Sequence, residues 1–158
     1  MLGASPAQAT HLLGGEMSYR YLDAAGPANA PFRYQVTVTL YSNGLYTPAN
    51  PNNIAPYPAN AQVDIYSRAT GLRITTILAQ RQGTALPVPV LPNIPAGCAV
   101  VGPSQPFYLL KYVQTVNLPV SFDGYYAVYS VAARNTTITN LANPGSLPLT
   151  LYVSMAPP

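Results

Sequence analysis

The sequence contains little charge. Asp, Glu, Lys and Arg together make up 7% of the 158 residues, against about 25% in an ordinary soluble domain. Lysine occurs once and tryptophan is absent. Solvated helices use Glu, Lys and Arg on their outer faces, so this shortage excludes an all-helical fold. Because 49% of the residues are hydrophobic, the chain can still bury a core, which argues against disorder.

Long apolar runs and clustered cations are also missing. No uninterrupted stretch approaches the roughly 20 apolar residues that a membrane helix needs, so the sequence predicts no membrane span. The net charge of +3 comes from seven cationic side chains that are scattered between Arg20 and Arg134. Proteins that bind nucleic acids concentrate such side chains on a patch, and we therefore predict no nucleic-acid partner.

Groups that perform catalysis are scarce. The single histidine, His11, is far in sequence from the single cysteine, Cys98, which lies among apolar and turn-forming residues. A catalytic thiol needs a base beside it, so we interpret Cys98 as a buried, inert thiol. The four acidic residues are well separated, and no calcium-loop, zinc, phosphate-loop or nucleophile-elbow motif is present. The sequence predicts no enzyme activity, no metal and no cofactor.

What the sequence does contain is a series of alternating segments. In residues 33–42, apolar side chains at every second position alternate with Gln and Thr, and residues 147–154 repeat the pattern. This period is typical of a strand with one buried face. The core positions expected from the two segments are Val36, Val38, Leu40, Leu149, Leu151 and Val153.

Turn residues separate these segments from further predicted strands, at residues 16–22, 61–68, 72–80, 107–118 and 124–133. The Ala-Thr-Gly sequence at 69–71 predicts a hairpin, and the Pro- and Asn-rich residues 43–60 predict a long loop. Residues 86–95 carry four prolines and can only form an extended edge segment, because proline donates no backbone hydrogen bond. Seven to eight short, mostly antiparallel strands predict an all-β, Ig-like β-sandwich over residues 10–158.

The first residues are expected to be separate from this domain. Residues 1–9 end in Ala-Gln-Ala, the pattern that signal peptidase cleaves, but they are too short for a complete signal. We interpret them as a signal-peptide remnant, with a flexible tail as the alternative. Gly14 and Gly15 follow, and they predict a point where the first strand turns or approaches another strand closely.

Several segments occur in an order that is informative. Residues 10–16 read THLLGGE, residues 112–119 read YVQTVNLP, and residues 132–140 read AARNTTITN, followed by NPGS. Together they resemble the N-terminal module of secreted surface proteins of the Bacteroidota, of the gliding-motility-associated or PKD-repeat adhesin type. That family has A-[TS]-H-x-x-G-G-[ED], Y-x-G-x-V-x-L-P and C-C-R-N-x-x-I-x-N at these places. The resemblance covers about residues 9–155.

The resemblance implies a secreted module that is displayed on the cell surface and exported by the type IX route. Ala132 and Ala133 stand where the family has paired cysteines, so the disulfides of relatives are lost here and core packing must replace them. Arg134 and Asn135 match the family's polar pair. We interpret them as a structural motif in which the guanidinium and the amide hold a strand end against a neighbouring loop.

Two classes of function remain open. The first is a structural or adhesive surface module whose partner is another protein, including copies of itself assembled into filaments through strand edges. The second is a carbohydrate-binding module in which exposed tyrosines stack on sugar rings. The tyrosines predicted for ligand or partner contact are Tyr46, Tyr57, Tyr125 and Tyr129.

Overall fold

Eight β-strands make up the regular structure. The computed structural model describes residues 12–43, 58–83, 86–88, 107–132, 142–143 and 147–158. The strands are β1 (Leu12–Asp23), β2 (Phe32–Asn43), β3 (Asn60–Ser67), β4 (Arg73–Arg81), β5 (Leu86–Val88), β6 (Phe107–Leu118), β7 (Tyr125–Val131) and β8 (Leu149–Met155). Within the described ranges no helix is long and apolar enough to span a membrane.

All eight strands belong to one sheet. Seven follow the order β1-β2-β6-β4-β3-β7-β8, and β5 pairs with β6 beside this path. Every paired neighbour is antiparallel, as predicted. Because direction alternates along seven strands, β1 and β8 at the two ends of the path point the same way. The two end strands approach each other, since a Cβ placed on Gly15 would lie 3.0 Å from Leu151 Cδ1. The sheet is therefore nearly closed and barrel-like.

Along the path of seven strands, the shortest ladder is the one between β4 and β6. Their pairing consists of Gln80 with Val113 and Arg81 with Tyr112, whereas β2 and β6 pair along their whole lengths. This short ladder joins a half formed by β1, β2 and β6 to a half formed by β4, β3, β7 and β8. The all-β prediction is confirmed for the described residues. Two separate layers, which an Ig-like sandwich requires, are not confirmed, because the ladder makes the two halves one sheet.

The predicted strands are present, with some changes at their ends. β6 has the predicted bounds, and β1 begins earlier than predicted, at Leu12. The hairpin between β3 and β4 is confirmed, and Gly71 supplies the left-handed conformation there with a φ of 69°. The proline-rich segment contributes β5, which pairs with the start of β6. The rest of that segment, residues 89–95, and most of the predicted loop 43–60 lie outside the described residues, as do residues 1–9.

Alternate residues of the strands form one core. Four of the six predicted core residues, Val36, Val38, Leu40 and Leu149, are buried. The other two, Leu151 and Val153, are partly buried and pack against the core from β8. β8 is an end strand of the sheet, so its inward side chains have a paired neighbour on one side only. The predicted core is thus confirmed, with less burial at the end of the sheet.

Three tyrosines of the core, Tyr34, Tyr112 and Tyr125, have no exposed surface. Their hydroxyl groups donate hydrogen bonds to backbone carbonyl oxygens outside the strands, namely those of Ala156, Pro58 and Pro119 respectively. Burial, with a smaller contribution from neighbouring phenols, raises the pKa of Tyr34 to about 12. The carbonyl partners explain how polar groups are accommodated in this core, because a buried hydroxyl without a partner is costly.

The same substitution of isoleucine by alanine should cost more stability on the inner face of the sheet than on the outer face. Ile65 on β3 has no exposed surface, whereas Ile74 on β4 is 37% exposed. We expect Ile65→Ala to lower the free energy of unfolding by about 2–5 kcal/mol through the cavity that it creates. Ile74→Ala is the matched control and should lower it by about 1 kcal/mol or less. Urea denaturation measures both, and equal losses would contradict the assignment of faces.

Candidate functional site

Gly14 and Gly15, the predicted point of turning or close approach in the first strand, lie in β1. A Cβ placed on Gly15 would lie 2.7 Å from the backbone oxygen of Thr39, which is closer than real Cβ atoms come, and 3.0 Å from Leu151 Cδ1, which is a tight contact. For Gly14, no heavy atom of the described residues lies within 4 Å of the corresponding position. The pairing of β1 with β2 shifts register between Leu12 and Gly14. β1 therefore approaches its neighbours closely at Gly15, whereas Gly14 lies at an irregularity of the β1–β2 pairing.

Tyr125 and Tyr129 are not at the surface, and the prediction that they are exposed is wrong. Tyr125 has no exposed surface and Tyr129 is 5% exposed. Both point inward with Ala127, because β7 alternates between buried and less buried positions from Tyr125 onward. Burial raises the pKa of Tyr125. The pKa of Tyr129 is raised to about 12, mainly by burial and to a smaller extent by the neighbouring phenol of Tyr112.

The other predicted residues lie outside the part of the chain that the structure describes. They are the polar pair Arg134 and Asn135, the loop tyrosines Tyr46 and Tyr57, and the single histidine and cysteine, His11 and Cys98. The roles predicted for them stay predictions. Among the described residues, no three His, Cys, Asp or Glu side chains come together in a group that could hold a metal ion.

Three other tyrosines lie together on the outer face of the sheet, and we call them the tyrosine row: Tyr66 on β3, Tyr126 on β7 and Tyr152 on β8. Tyr66 and Tyr126 are directly opposite each other in the β3–β7 pairing. Their rings are stacked, with centroids 4.9 Å apart and planes 6° apart. The Tyr152 ring is tilted by 31° from that of Tyr126 at a centroid distance of 5.6 Å. The row therefore crosses three adjacent strands.

Exposure differs along the row and shows where a ligand can be contacted. β3 and β8 lie on opposite sides of β7, so the Tyr126 ring has an aromatic neighbour on each side. Tyr66 and Tyr126 are partly buried, while Tyr152 is 59% exposed. Aromatic pairs of this kind contribute about 0.5–1.5 kcal/mol beyond their buried area and hold one another in place. Tyr152 is thus an exposed ring supported by the other two.

Polar side chains flank Tyr152 along β8. On one side, the hydroxyl groups of Thr150 and Ser130 lie 3.3 Å apart within hydrogen-bond distance. On the other side, Arg68 Nη1 donates to Ser154 Oγ at 2.9 Å. An exposed ring between hydroxyl groups and a guanidinium can pack on a flat apolar surface while the polar groups donate and accept hydrogen bonds. The arrangement is suited to binding.

On the β4 side, the tyrosine row is bordered by the carboxylate of Asp64, which already has a hydrogen-bond donor and a cation beside it. Asp64 precedes Tyr66 on the same outer face of β3, and Thr76 Oγ1 donates to Asp64 Oδ1 at 2.5 Å. Arg73 Nη1 lies 3.6 Å from the same oxygen. Because the carboxylate has a hydroxyl donor and a cation beside it, it has a structural role in the β3–β4 pairing. This ion pair marks the polar boundary of the tyrosine row.

A second exposed apolar surface lies at one end of the sheet. Leu72, in the β3–β4 turn, is 70% exposed, and Phe122, in the loop between β6 and β7, is 93% exposed. The two loops are joined by a hydrogen bond of 3.2 Å from the Arg68 backbone N–H to the Gly124 carbonyl oxygen. Gly124 has a φ of 73°, and a Cβ there would collide with the Met155 carbonyl oxygen. Phe122 is an exposed ring outside the tyrosine row, so its substitution can serve as the control for substitutions within the row.

Part of the tyrosine row could be predicted from the alternation of apolar and polar side chains in the sequence. The pattern of residues 147–154 places Tyr152 outward with Thr150 and Ser154, and the structure confirms this arrangement. Tyr125 and Tyr126 are adjacent in sequence, so one of them must face the core and the other must face outward. Local sequence contains nothing that decides between them. That choice depends on the register of β7 between β3 and β8.

Comparison of the chain with protein-family models, curated proteins and solved structures found no match. The likeness to Bacteroidota surface modules therefore depends on the sequence motifs alone. The tyrosine row and the two end strands of the sheet are the features from which a function can be inferred.

The close approach at Gly15 has a measurable consequence for stability. We expect Gly15→Ala to lower the free energy of unfolding by about 1–3 kcal/mol, because the new methyl group meets a backbone oxygen that cannot move aside easily. Gly14→Ala is the matched control in the adjacent position and should change it by about 0.5 kcal/mol or less. Thermal unfolding of the two variants measures the difference. A Gly14 variant as unstable as the Gly15 variant would contradict this assignment.

Proposed function

We propose that the protein is a non-catalytic, extracellular surface module with a structural and adhesive role. The observation that carries the proposal is the tyrosine row, in which Tyr152 is 59% exposed and supported by two further rings on adjacent strands. Tyrosine contributes a large contact area at a low conformational-entropy cost, which is why it is common in binding surfaces. A row of this kind on a sheet favours binding to another macromolecule.

The composition supports a protein as the partner, including other copies of the chain. With 7% charged residues and a net charge of +3, copies repel one another weakly. Contacts between strand edges would add main-chain hydrogen bonds to the contacts of tyrosine side chains. Assembly of copies into filaments is the structural form of the proposed role.

Export to the cell surface is a further part of the proposal. It is supported by the ordered motifs that resemble Bacteroidota surface modules and by the Ala-Gln-Ala pattern within residues 1–9. The type IX route is what the resemblance implies. An Ig-like sandwich is the architecture that we propose for the module. The short connection between β4 and β6 supports it, because this connection consists of two residue pairs and one adjacent hydrogen bond from the Gln82 backbone N–H to the Lys111 carbonyl oxygen.

Carbohydrate binding is the second candidate, and the surroundings of Tyr152 favour it. A sugar ring has an apolar face of C–H groups and a rim of hydroxyl groups. Tyr152 supplies a ring for the apolar face, and Thr150, Ser154 and Arg68 supply hydrogen-bonding groups beside it. In this proposal the tyrosine row takes the place of the buried Tyr125 and Tyr129.

Substitution of Tyr152 tests the proposed binding surface. We expect Tyr152→Ala to weaken binding to arrayed glycans or to immobilised extracellular proteins by about tenfold or more, as for an exposed aromatic anchor. Phe122→Ala is the control, since it removes a more exposed ring outside the row. A glycan array and a protein array identify the class of ligand, and electron microscopy of the purified protein shows whether filaments form.

The outcomes separate the candidates. Loss of protein binding or of filaments in the Tyr152 variant alone supports the adhesive role, and loss of glycan binding alone supports the carbohydrate-binding role. Equal effects of the two variants would contradict a special role for the tyrosine row. Unchanged binding in both would place the ligand site elsewhere on the molecule.

A further inference from the structure

Arg68 places a positive charge beside the tyrosine row. It follows β3 in the β3–β4 turn, and its side chain is exposed. Its guanidinium reaches β8, where Nη1 donates to Ser154 Oγ at 2.9 Å. Ser154 is directly opposite Tyr126 in the β7–β8 pairing and faces outward with Tyr152. The cation is therefore held on the same outer face as the exposed ring.

The charge of Arg68 has no acidic partner within the described ranges, which include all four acidic residues of the chain. Asp23 and Asp64 form ion pairs with other arginines, and no described carboxylate lies within 4.0 Å of the Arg68 guanidinium. A guanidinium has five N–H donors, and the one hydrogen bond that this group makes is the bond to Ser154. Most of its donors are therefore available to a ligand.

This uncompensated guanidinium favours a ligand that carries a carboxylate. In a chain with 7% charged residues, a cation without an acidic neighbour attracts negative charge to its part of the surface. The planar fork of arginine binds a carboxylate through two parallel N–H···O hydrogen bonds, which fix its orientation as well as its charge. Because Ser154 already holds the guanidinium, less side-chain entropy is lost when a ligand binds.

The spacing along β8 fits a sugar ring that carries its carboxylate directly. Tyr152 and Ser154 are two residues apart on one face of the strand, a separation of about 6.5–7 Å. A pyranose ring stacked on Tyr152 can therefore direct its carboxylate toward the guanidinium at Ser154. Its hydroxyl groups then lie toward Thr150 and Ser130, whose own hydroxyl groups are 3.3 Å apart. An acidic peptide side chain has a carboxylate but no such rim of hydroxyl groups.

We propose that the tyrosine row binds an acidic polysaccharide built from hexuronic acids, with a pyranose ring stacked on Tyr152 and its carboxylate bound by the guanidinium of Arg68. This inference rests on carbohydrate binding, the second candidate function, and specifies its class of sugar. Tyr152 binds the ring whatever its charge, and Arg68 selects the charged form. Ser154 is a positioning residue, because it holds the guanidinium in place.

Methyl esterification of the probe isolates the role of charge, because it neutralises the carboxylate and leaves the ring and its hydroxyl groups unchanged. The probes are short oligomers of galacturonate, glucuronate and mannuronate, each as the free acid and as the methyl ester, titrated into the full chain in a calorimeter. We expect at least one acid to bind about tenfold more tightly than its ester, as for charge-assisted hydrogen bonds. This preference should fall as the salt concentration rises, because salt screens exposed charges.

Variants of the protein separate the charge contact from the stacking contact. Arg68→Gln should lower the affinity for the acid by about tenfold and so remove most of the preference for the acid over the ester. Tyr152→Ala should weaken binding of both forms and leave their affinity ratio unchanged. Lys111→Gln is the matched control, since it removes one exposed positive charge from β6, a strand that adjoins neither β7 nor β8. It should change neither affinity.

Three results would overturn the proposal. One is equal affinity of every acid and its ester. Another is a preference for the acid that Arg68→Gln leaves intact, because a different cation would then select the charge. The third is an equal loss of that preference in the Lys111 variant, which would mean that net charge and not a contact at Arg68 is responsible. Uncharged glycans that bind through Tyr152 without any preference for acids would contradict this inference alone, whereas binding of no sugar would contradict the second candidate function as well.

Discussion

The structure depends on how an odd number of antiparallel strands closes around one core. Seven strands in alternating direction leave β1 and β8 parallel, and these two strands meet through Gly15, Leu151 and the Ala156 backbone without a ladder. The core is thus enclosed by main-chain pairing along most of the sheet and by side-chain contacts at the seam. Gly15 permits that approach, since any side chain there would meet the backbone of β2.

Tyrosine has two roles in a chain with few charged residues. Inside the sheet, Tyr34, Tyr112 and Tyr125 fill the core while their hydroxyl groups donate to backbone carbonyls at its ends. Outside the sheet, the tyrosine row uses the same ring for stacking and for an exposed contact surface. A phenol can do both because it combines a large apolar body with one polar group.

Strand positions and the inward face of most strands could be predicted from the sequence. The alternation of residues 33–42 identified Val36 and Val38 as core residues, and the bounds of β6 agree with those predicted. Exposure in β7 could not be predicted, because Tyr125 and Tyr126 are chemically identical and only pairing with β3 and β8 decides which faces inward. The sequence also could not predict that both halves form one sheet, because the two residue pairs between β4 and β6 join residues that are distant in sequence.

Residue-resolved hydrogen exchange of the unliganded protein, measured by NMR, is the decisive test of an unpaired seam. In an antiparallel strand, successive amides point to opposite neighbours, so an end strand has half of its amides paired and half facing the seam. We expect alternate amides of β1 and β8 to exchange rapidly, while the amides of β2 from Arg33 to Ser42, a stretch paired on both sides, are protected throughout. Continuous protection along β1 and β8 would contradict an unpaired seam, because such protection requires a ladder between the two strands.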